Sequence, residues 1–211
     1  MYVDCEDTYY YLTLQNENYA MLPMPKGVEE GIIKGIYPFR KAQKKLKYHV
    51  QLWGSSAILR ETLRAQEILA EKFGVSSDVW SVTSYQLLRK DALDAQRWNM
   101  WHPNDVPKVP YLSKLLEGVE GPFIAASDSV KALSDQVSPW VPGHLFSLGT
   151  DGYGRSDTRE KLRRFFEVDA ECIALAALHQ LRLQKNYPAN DVEKAIVELE
   201  LDPEKPNPAT S

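Results

Sequence analysis

Along most of the chain, apolar runs of four to six residues alternate with longer stretches whose apolar positions recur at helical spacing. From residue 48 onward the alternation is regular. Residues 48–53 (Tyr-His-Val-Gln-Leu-Trp) predict a strand, and Gly54, Ser55 and Ser56 turn the chain into a helix through Phe73. On that helix Ile58, Leu59, Leu63, Ala65, Leu69, Ala70 and Phe73 share one broad apolar arc, and Gly74 is placed for a left-handed C-cap. Residues 78–82 predict the next strand, with Thr83 or Ser84 capping a helix to about residue 99. A proline-broken loop over 102–110 leads to a short helix over 111–116. Residues 123–126 then predict a strand, 129–137 a helix and 145–148 a further strand.

After residue 148 the chain turns through a glycine-rich loop into a helix ending near 166. Ser156 or Asp157 is the expected cap, with Glu160 at capping-box spacing from Asp157. Asp169 caps a long helix over 170–185, and Asn190 opens a last one over 191–201 that Asp202-Pro203 stops. The prolines at 203, 206 and 208 predict an extended tail. Each strand is short, apolar and followed by a helix. The fold class expected is therefore α/β, a three-layer α/β/α sandwich around a largely parallel sheet with right-handed crossovers.

The first part of the chain reads differently. Residues 9–14 predict a short strand, and 15–27 a polar, proline-broken connector, an arrangement more like the end of a preceding domain than the start of a new one. Residues 31–39 predict another strand, with Pro38 arguing for a sheet edge. Five of the eight residues from Arg40 to Lys47 are basic. The reading favoured is a solvated hairpin loop whose lysines discourage edge-to-edge pairing, over a nucleic-acid or anion patch.

Composition narrows the function classes. The chain has 211 residues, 26% of them charged, and a net charge of −4, which gives no electrostatic case for binding nucleic acid or a membrane surface as the main task. Its two cysteines, Cys5 and Cys172, are too few for a disulfide framework. With no long apolar run and an acidic start, neither a spanning helix nor a signal peptide is expected, and the expected location is the cytoplasm.

Candidate chemistry gathers at the strand ends. Gly54-Ser55-Ser56, Thr83-Ser84, Ser127-Asp128-Ser129 and Thr150-Asp151-Gly152 should line one edge of a parallel sheet, where such folds bind ligands. Their hydroxyls and helix starts could hold an anion, although plain helix capping accounts for them as well, and neither a G-x-G-x-x-G nor a Walker-type lysine is present. His49, His102, His144 and His179 suggest no convergent metal or nucleophilic site. Asp94, Arg97, Trp98 and Trp101 read as packing or an interface.

Residues 148–159 (Leu-Gly-Thr-Asp-Gly-Tyr-Gly-Arg-Ser-Asp-Thr-Arg), continuing to 165–169 (Phe-Phe-Glu-Val-Asp), carry a closer resemblance. With 9–19, 27–37, 77–84, 97–103, 109–111 and 202–208 in the same order, they resemble the C-terminal region of the homodimeric, bacterial-type decarboxylating components of pyruvate dehydrogenase complexes. Those are thiamine diphosphate enzymes of the transketolase-like superfamily. The resemblance implies a transketolase C-terminal-like domain over 47–211, with 1–46 as the end of the preceding pyrimidine-binding domain and a linker. It implies oxidative decarboxylation of pyruvate and acetyl transfer to lipoyl groups in the whole subunit, with thiamine diphosphate and magnesium bound by upstream domains. The implied partners are those domains, a homodimer mate and the lipoyl acetyltransferase component. No catalytic, cofactor or metal residue is carried over. Asp151, Gly152, Tyr153, Gly154, Arg155, Asp157 and Arg159 are expected to form an interface or structural loop, and the chain alone is expected to be inactive. The alternative is a free-standing, non-catalytic interaction or regulatory module derived from the same domain. Residues 127–133 and 40–47 depart from the family pattern.

Overall fold

The computed structural model describes residues 3–9, 18–185 and 187–211. Its elements in chain order are α1 (Glu29–Lys34), β1 (Ile36–Arg40), β2 (Tyr48–Gly54), α2 (Ile58–Lys72), β3 (Val75–Val82), α3 (Tyr85–Trp101) and α4 (Tyr111–Leu115). They continue with β4 (Phe123–Ala126), α5 (Lys131–Asp135), β5 (Leu145–Leu148), α6 (Arg159–Phe165), α7 (Ala170–Lys185) and α8 (Ala189–Glu198). The strands form one sheet in the order β1-β3-β2-β4-β5. Only β1 runs antiparallel to its neighbour; the other three pairings are parallel. Of the expected strand over 9–14, residues 10–14 lie outside the described residues, and Tyr9 is exposed without regular structure.

Apolar residues cover both faces of the sheet, so β2, β4 and β5 read as nearly unbroken apolar runs. Val50, Leu52, Val79 and Ile124 meet α2, α7 and α8 on one face. Trp53, Trp80, Val82, Phe123 and Ala125 meet α3, α4 and the region after α5 on the other. Trp53 and Phe123 are fully buried and pack edge to face, 5.9 Å between ring centres.

Several expectations are corrected. Residues 31–39 are not one strand, because α1 occupies the first part. Glu29 and Glu30 in its first turn and Lys34 in its last complement the helix dipole. Gly35 then stops it with φ +114, and a Cβ there would stand 2.5 Å from Ser84 O. β1 is an edge strand, as Pro38 suggested.

The basic stretch after β1 is not a hairpin. β1 and β2 lie on opposite sides of β3, so the link crosses the start of β3 and is fixed to it. Ala42 N–H donates to Asp78 Oδ1 at 2.8 Å and Leu46 N–H to Ser76 Oγ at 3.2 Å. These contacts also explain why polar residues begin β3, which starts at Val75 rather than 78.

The helix expected over 129–137 shortens to α5, followed by a 3-10 turn at Ser138–Trp140. Ser127 Oγ accepts Ser129 N–H at 3.2 Å and keeps the intervening residues in a turn. The last helix starts at Ala189 after Pro188, two positions before the expected start, with no side-chain cap. By contrast Ser84 caps α3 through Leu87 N–H, and Asp169 Oδ1 accepts Cys172 N–H at 2.9 Å at the start of α7. Gly74, with φ +61, follows α2 as expected.

Candidate functional site

The crossovers leaving β2 and β4 go to opposite faces of the sheet. α2 lies on the face shared with α7, while the chain after β4 lies on the face of α3, and β2 and β4 are direct neighbours. The carboxyl ends of these two strands therefore flank a topological switch point, the usual ligand position in an open α/β sheet. Two adjoining cavities lie there, with Asp128 on the rim of both.

One cavity, of about 320 Å³, is lined with hydroxyls from Ser55, Ser56, Thr83, Ser84, Ser127 and Ser129. Tyr85 lies at its base, 4% exposed. Neither Tyr85 Oη nor Ser55 Oγ completes a hydrogen bond, although the two side chains adjoin. Burial pushes the Tyr85 hydroxyl well above its ordinary pKa, Ser55 offsets part of the shift, and Asp135 adds to it. The Tyr85 hydroxyl therefore stays protonated and is not a base.

The other cavity, of about 280 Å³, brings Arg155, Arg159 and Arg163 towards Thr150 and the start of α2. Arg163 is already engaged: Nη1 donates to Glu61 Oε1 at 3.0 Å and Nη2 to Tyr19 Oη at 2.9 Å. Glu61, 6% exposed, also accepts Arg64 Nη1–H at 2.8 Å and Ala170 N–H at 3.2 Å. Arg64 and Arg164 extend this network to Glu171 and Asp169. The arginines thus bind α2, α6 and α7 into one frame.

The glycine-rich loop, 149–158, closes this edge of the sheet. A Cβ at Gly149 would lie 2.5 Å from Ser129 O, so glycine permits the approach through which Thr150 N–H reaches Ser129 O at 2.9 Å. Asp151 Oδ1 accepts Lys131 N–H at 2.9 Å and caps α5 from across the chain. Gly152 has φ +91 and packs against the tail at Pro208 and Ala209.

Gly154 has neither a positive φ nor a close neighbour, so the loop's requirement for glycine at this turn falls on Gly152. Arg155 donates to Ser211 O and lies 4.9 Å from the centre of the Phe165 ring. Lys205 Nζ donates to Phe165 O at 2.6 Å and Arg164 O at 3.0 Å, capping α6 and docking the tail.

The cap of α6 is Thr158, whose Oγ1 accepts Lys161 N–H, and not Ser156 or Asp157. Glu160 is therefore one position short of capping-box spacing. Asp157 Oδ1 accepts Thr158 N–H at 2.7 Å instead. Of the expected interface loop, Asp151, Gly152, Arg155 and Asp157 make contacts within the chain, and every member except the half-buried Asp151 is exposed.

Among the histidines, His102 stacks on Trp98 at 4.3 Å, and His179 borders an apolar groove with Cys172. Burial, then the neighbouring Asp169, pushes the Cys172 thiol far above its usual pKa. His49 is the unexpected node, with Nδ1 2.8 Å from Ser76 Oγ and Nε2 3.4 Å from Asp78 Oδ2. This resembles a Ser-His-Asp relay only in composition. Ser76 Oγ is buried, donates to Tyr48 O and accepts Leu46 N–H, so it is a structural pin and not a nucleophile.

The proline loop is clamped by Asn99, which exchanges two hydrogen bonds with the backbone of Lys108, and Lys108 Nζ sits 4.5 Å over the Trp98 ring. Met100, Trp101, Val106 and Val109 nearby are exposed. Asp94 and Arg97 also face outward.

The described residues thus form an α/β domain with a switch-point crevice and a glycine-rich loop directed into the domain's own packing. The chain belongs to the transketolase-like TK C-terminal domain family, whose model matches residues 35–169. It is 48% identical over 204 residues to the pyruvate dehydrogenase E1 component of Pseudomonas aeruginosa, covering 96% of this chain and 23% of that protein. With the pyruvate dehydrogenase E1 component of Escherichia coli K12 the identity is 46% over 204 residues, with the same coverage. The chain thus spans about 23% of the length of these relatives. A transketolase from Leishmania mexicana shares the fold over 79% of the chain and 20% of its own, with a TM-score of 0.51 and 17% identity.

The described residues do not fit thiamine diphosphate and its metal. Asp151, in Thr150-Asp151-Gly152, is committed to Lys131, and no three His, Cys, Asp or Glu side chains converge among the described residues. No helix among them is long and apolar enough to cross a membrane.

Proposed function

We propose that this chain serves as the C-terminal domain of a pyruvate dehydrogenase decarboxylating subunit and supports its assembly, not its chemistry. The observation that carries this reading is the 42–48% identity to pyruvate dehydrogenase E1 components across nearly the whole chain. In the whole subunit, thiamine diphosphate and magnesium would supply the decarboxylation chemistry from upstream domains. The acetyl group would pass to the lipoyl acetyltransferase component, in the cytoplasm. Residues 1–46 would carry the end of the preceding domain and the linker, with β1 reaching across to join the sheet of the domain over 47–211. Tyr153, Asp157 and Arg159 would face neighbouring domains or the homodimer mate. The exposed Met100, Trp101, Val106 and Val109, at the end of α3 and in the loop after it, support a further covered surface, since apolar patches of that kind mark interfaces.

The test is a chimera in which this chain replaces the matching quarter of the Pseudomonas aeruginosa E1 component. Pyruvate turnover and dimer mass close to those of the parent are expected, together with loss of the dimer when the quarter is deleted. A parent that keeps dimer and turnover without that quarter would refute an assembly role.

A further inference from the structure

A cavity of about 1020 Å³, open to solvent, lies at the opposite edge of the sheet. Lys41, Lys45, Lys47 and Lys185 line it against two carboxylates, Asp78 and Glu120, and Lys44 lies on the same loop. All five lysines are exposed, and none has a carboxylate partner among the described residues. In a chain of net charge −4, so concentrated a patch of opposite sign is an outlier.

The loop that presents these lysines is held rigidly. Ser76 and Asp78 at the start of β3 accept its Leu46 and Ala42 N–H groups, and His49 bridges the same two side chains. Arg40 anchors the other end on α2, donating to Leu63 O at 2.8 Å and to Glu67 at 3.1 Å. Protection of a free sheet edge does not explain this arrangement, because the lysines face the groove formed with residues 118–121 and not the outer side of β1. Fixing the charges in advance lowers the ordering cost of binding.

We propose that this groove docks an acidic segment of a partner polypeptide. The cavity is several times larger than either switch-point cavity and fits an extended chain better than a single phosphate. Its cations are ammonium point charges, and the loop's one guanidinium, Arg40, is turned onto α2 and cannot fork around a phosphate. The net negative charge of the chain disfavours an extended nucleic acid.

Fluorescence anisotropy of a labelled oligoglutamate peptide against the 211-residue chain tests the proposal. Binding at low salt that weakens as salt rises is expected, with affinity falling about tenfold or more in Lys41→Glu/Lys45→Glu and unchanged in Lys26→Glu. No binding at low salt, equal binding of oligoglutamine, or an unaltered affinity in the double reversal would overturn it. Tighter binding of inorganic triphosphate or single-stranded DNA than of the peptide would overturn the choice of partner.

Discussion

Asp151 Oδ1 accepts the backbone N–H of Lys131 at 2.9 Å, so the loop after β5 supplies the cap that α5 lacks within its own sequence. The carboxylate sits where an acid in a Thr-Asp-Gly stretch could be mistaken for a metal ligand. Its geometry assigns it to holding two strand-end loops together. Asp151→Ala should lower stability by about 1.5 kcal/mol, the scale of a charge-assisted hydrogen bond. Urea unfolding with and without magnesium checks this: an equal loss in both is expected, and a magnesium-dependent loss would make Asp151 a ligand.

Gly152 and Gly154 should respond differently to the same change. Gly152→Ala puts a Cβ 2.5 Å from Pro208 O at φ +91, costing roughly 1–2 kcal/mol and undocking the tail. Gly154→Ala meets nothing within 4 Å and should be near neutral. Limited proteolysis of the tail, read by mass spectrometry, distinguishes the pair; equal cleavage in both variants would remove Gly152 from its role.

Glu61 is the buried acid that α2, α6 and α7 share, with Arg163, Arg64 and Ala170 N–H all directed at it. Glu61→Ala leaves Arg163 Nη1 and the buried Ala170 N–H without their partner. A loss of about 3 kcal/mol is expected in urea unfolding. A loss below about 1 kcal/mol, the range of a surface pair, would mean that the network is solvated.

The two cysteines should differ in reactivity. Burial and Asp169 hold the Cys172 thiol protonated far beyond its ordinary range, whereas Cys5 is exposed. Alkylation of the folded chain at neutral pH should label Cys5 and spare Cys172 until denaturant is added. Comparable labelling rates at both sites would contradict the packing of α7.

The strands at 48–53, 123–126 and 145–148 were legible because a strand buried on both faces leaves an apolar run that needs no context. β3 starts three residues before its expected position because Ser76 and Ser77 look like loop residues. Ser76, like Asp78, is polar in order to hold the 40–47 link, a demand from another part of the chain. α1 was hidden by Ile32, Ile33 and Ile36, which read as strand; the geometry of Gly35 that ends it depends on Thr83 and Ser84 N–H donating to its carbonyl. The candidate site shows the same division. That the strand-end loops share one edge followed from the βα alternation, whereas the partners of Asp151, Arg155 and Lys205 are long-range and left no local trace.

On the proposed function, this chain supports a thiamine diphosphate enzyme without holding its chemistry. The decisive assay is pyruvate-dependent reduction of an acceptor dye by the purified chain, with thiamine diphosphate and magnesium added. No reduction above the protein-free rate is expected. Sustained turnover that scales with chain concentration would contradict the claim.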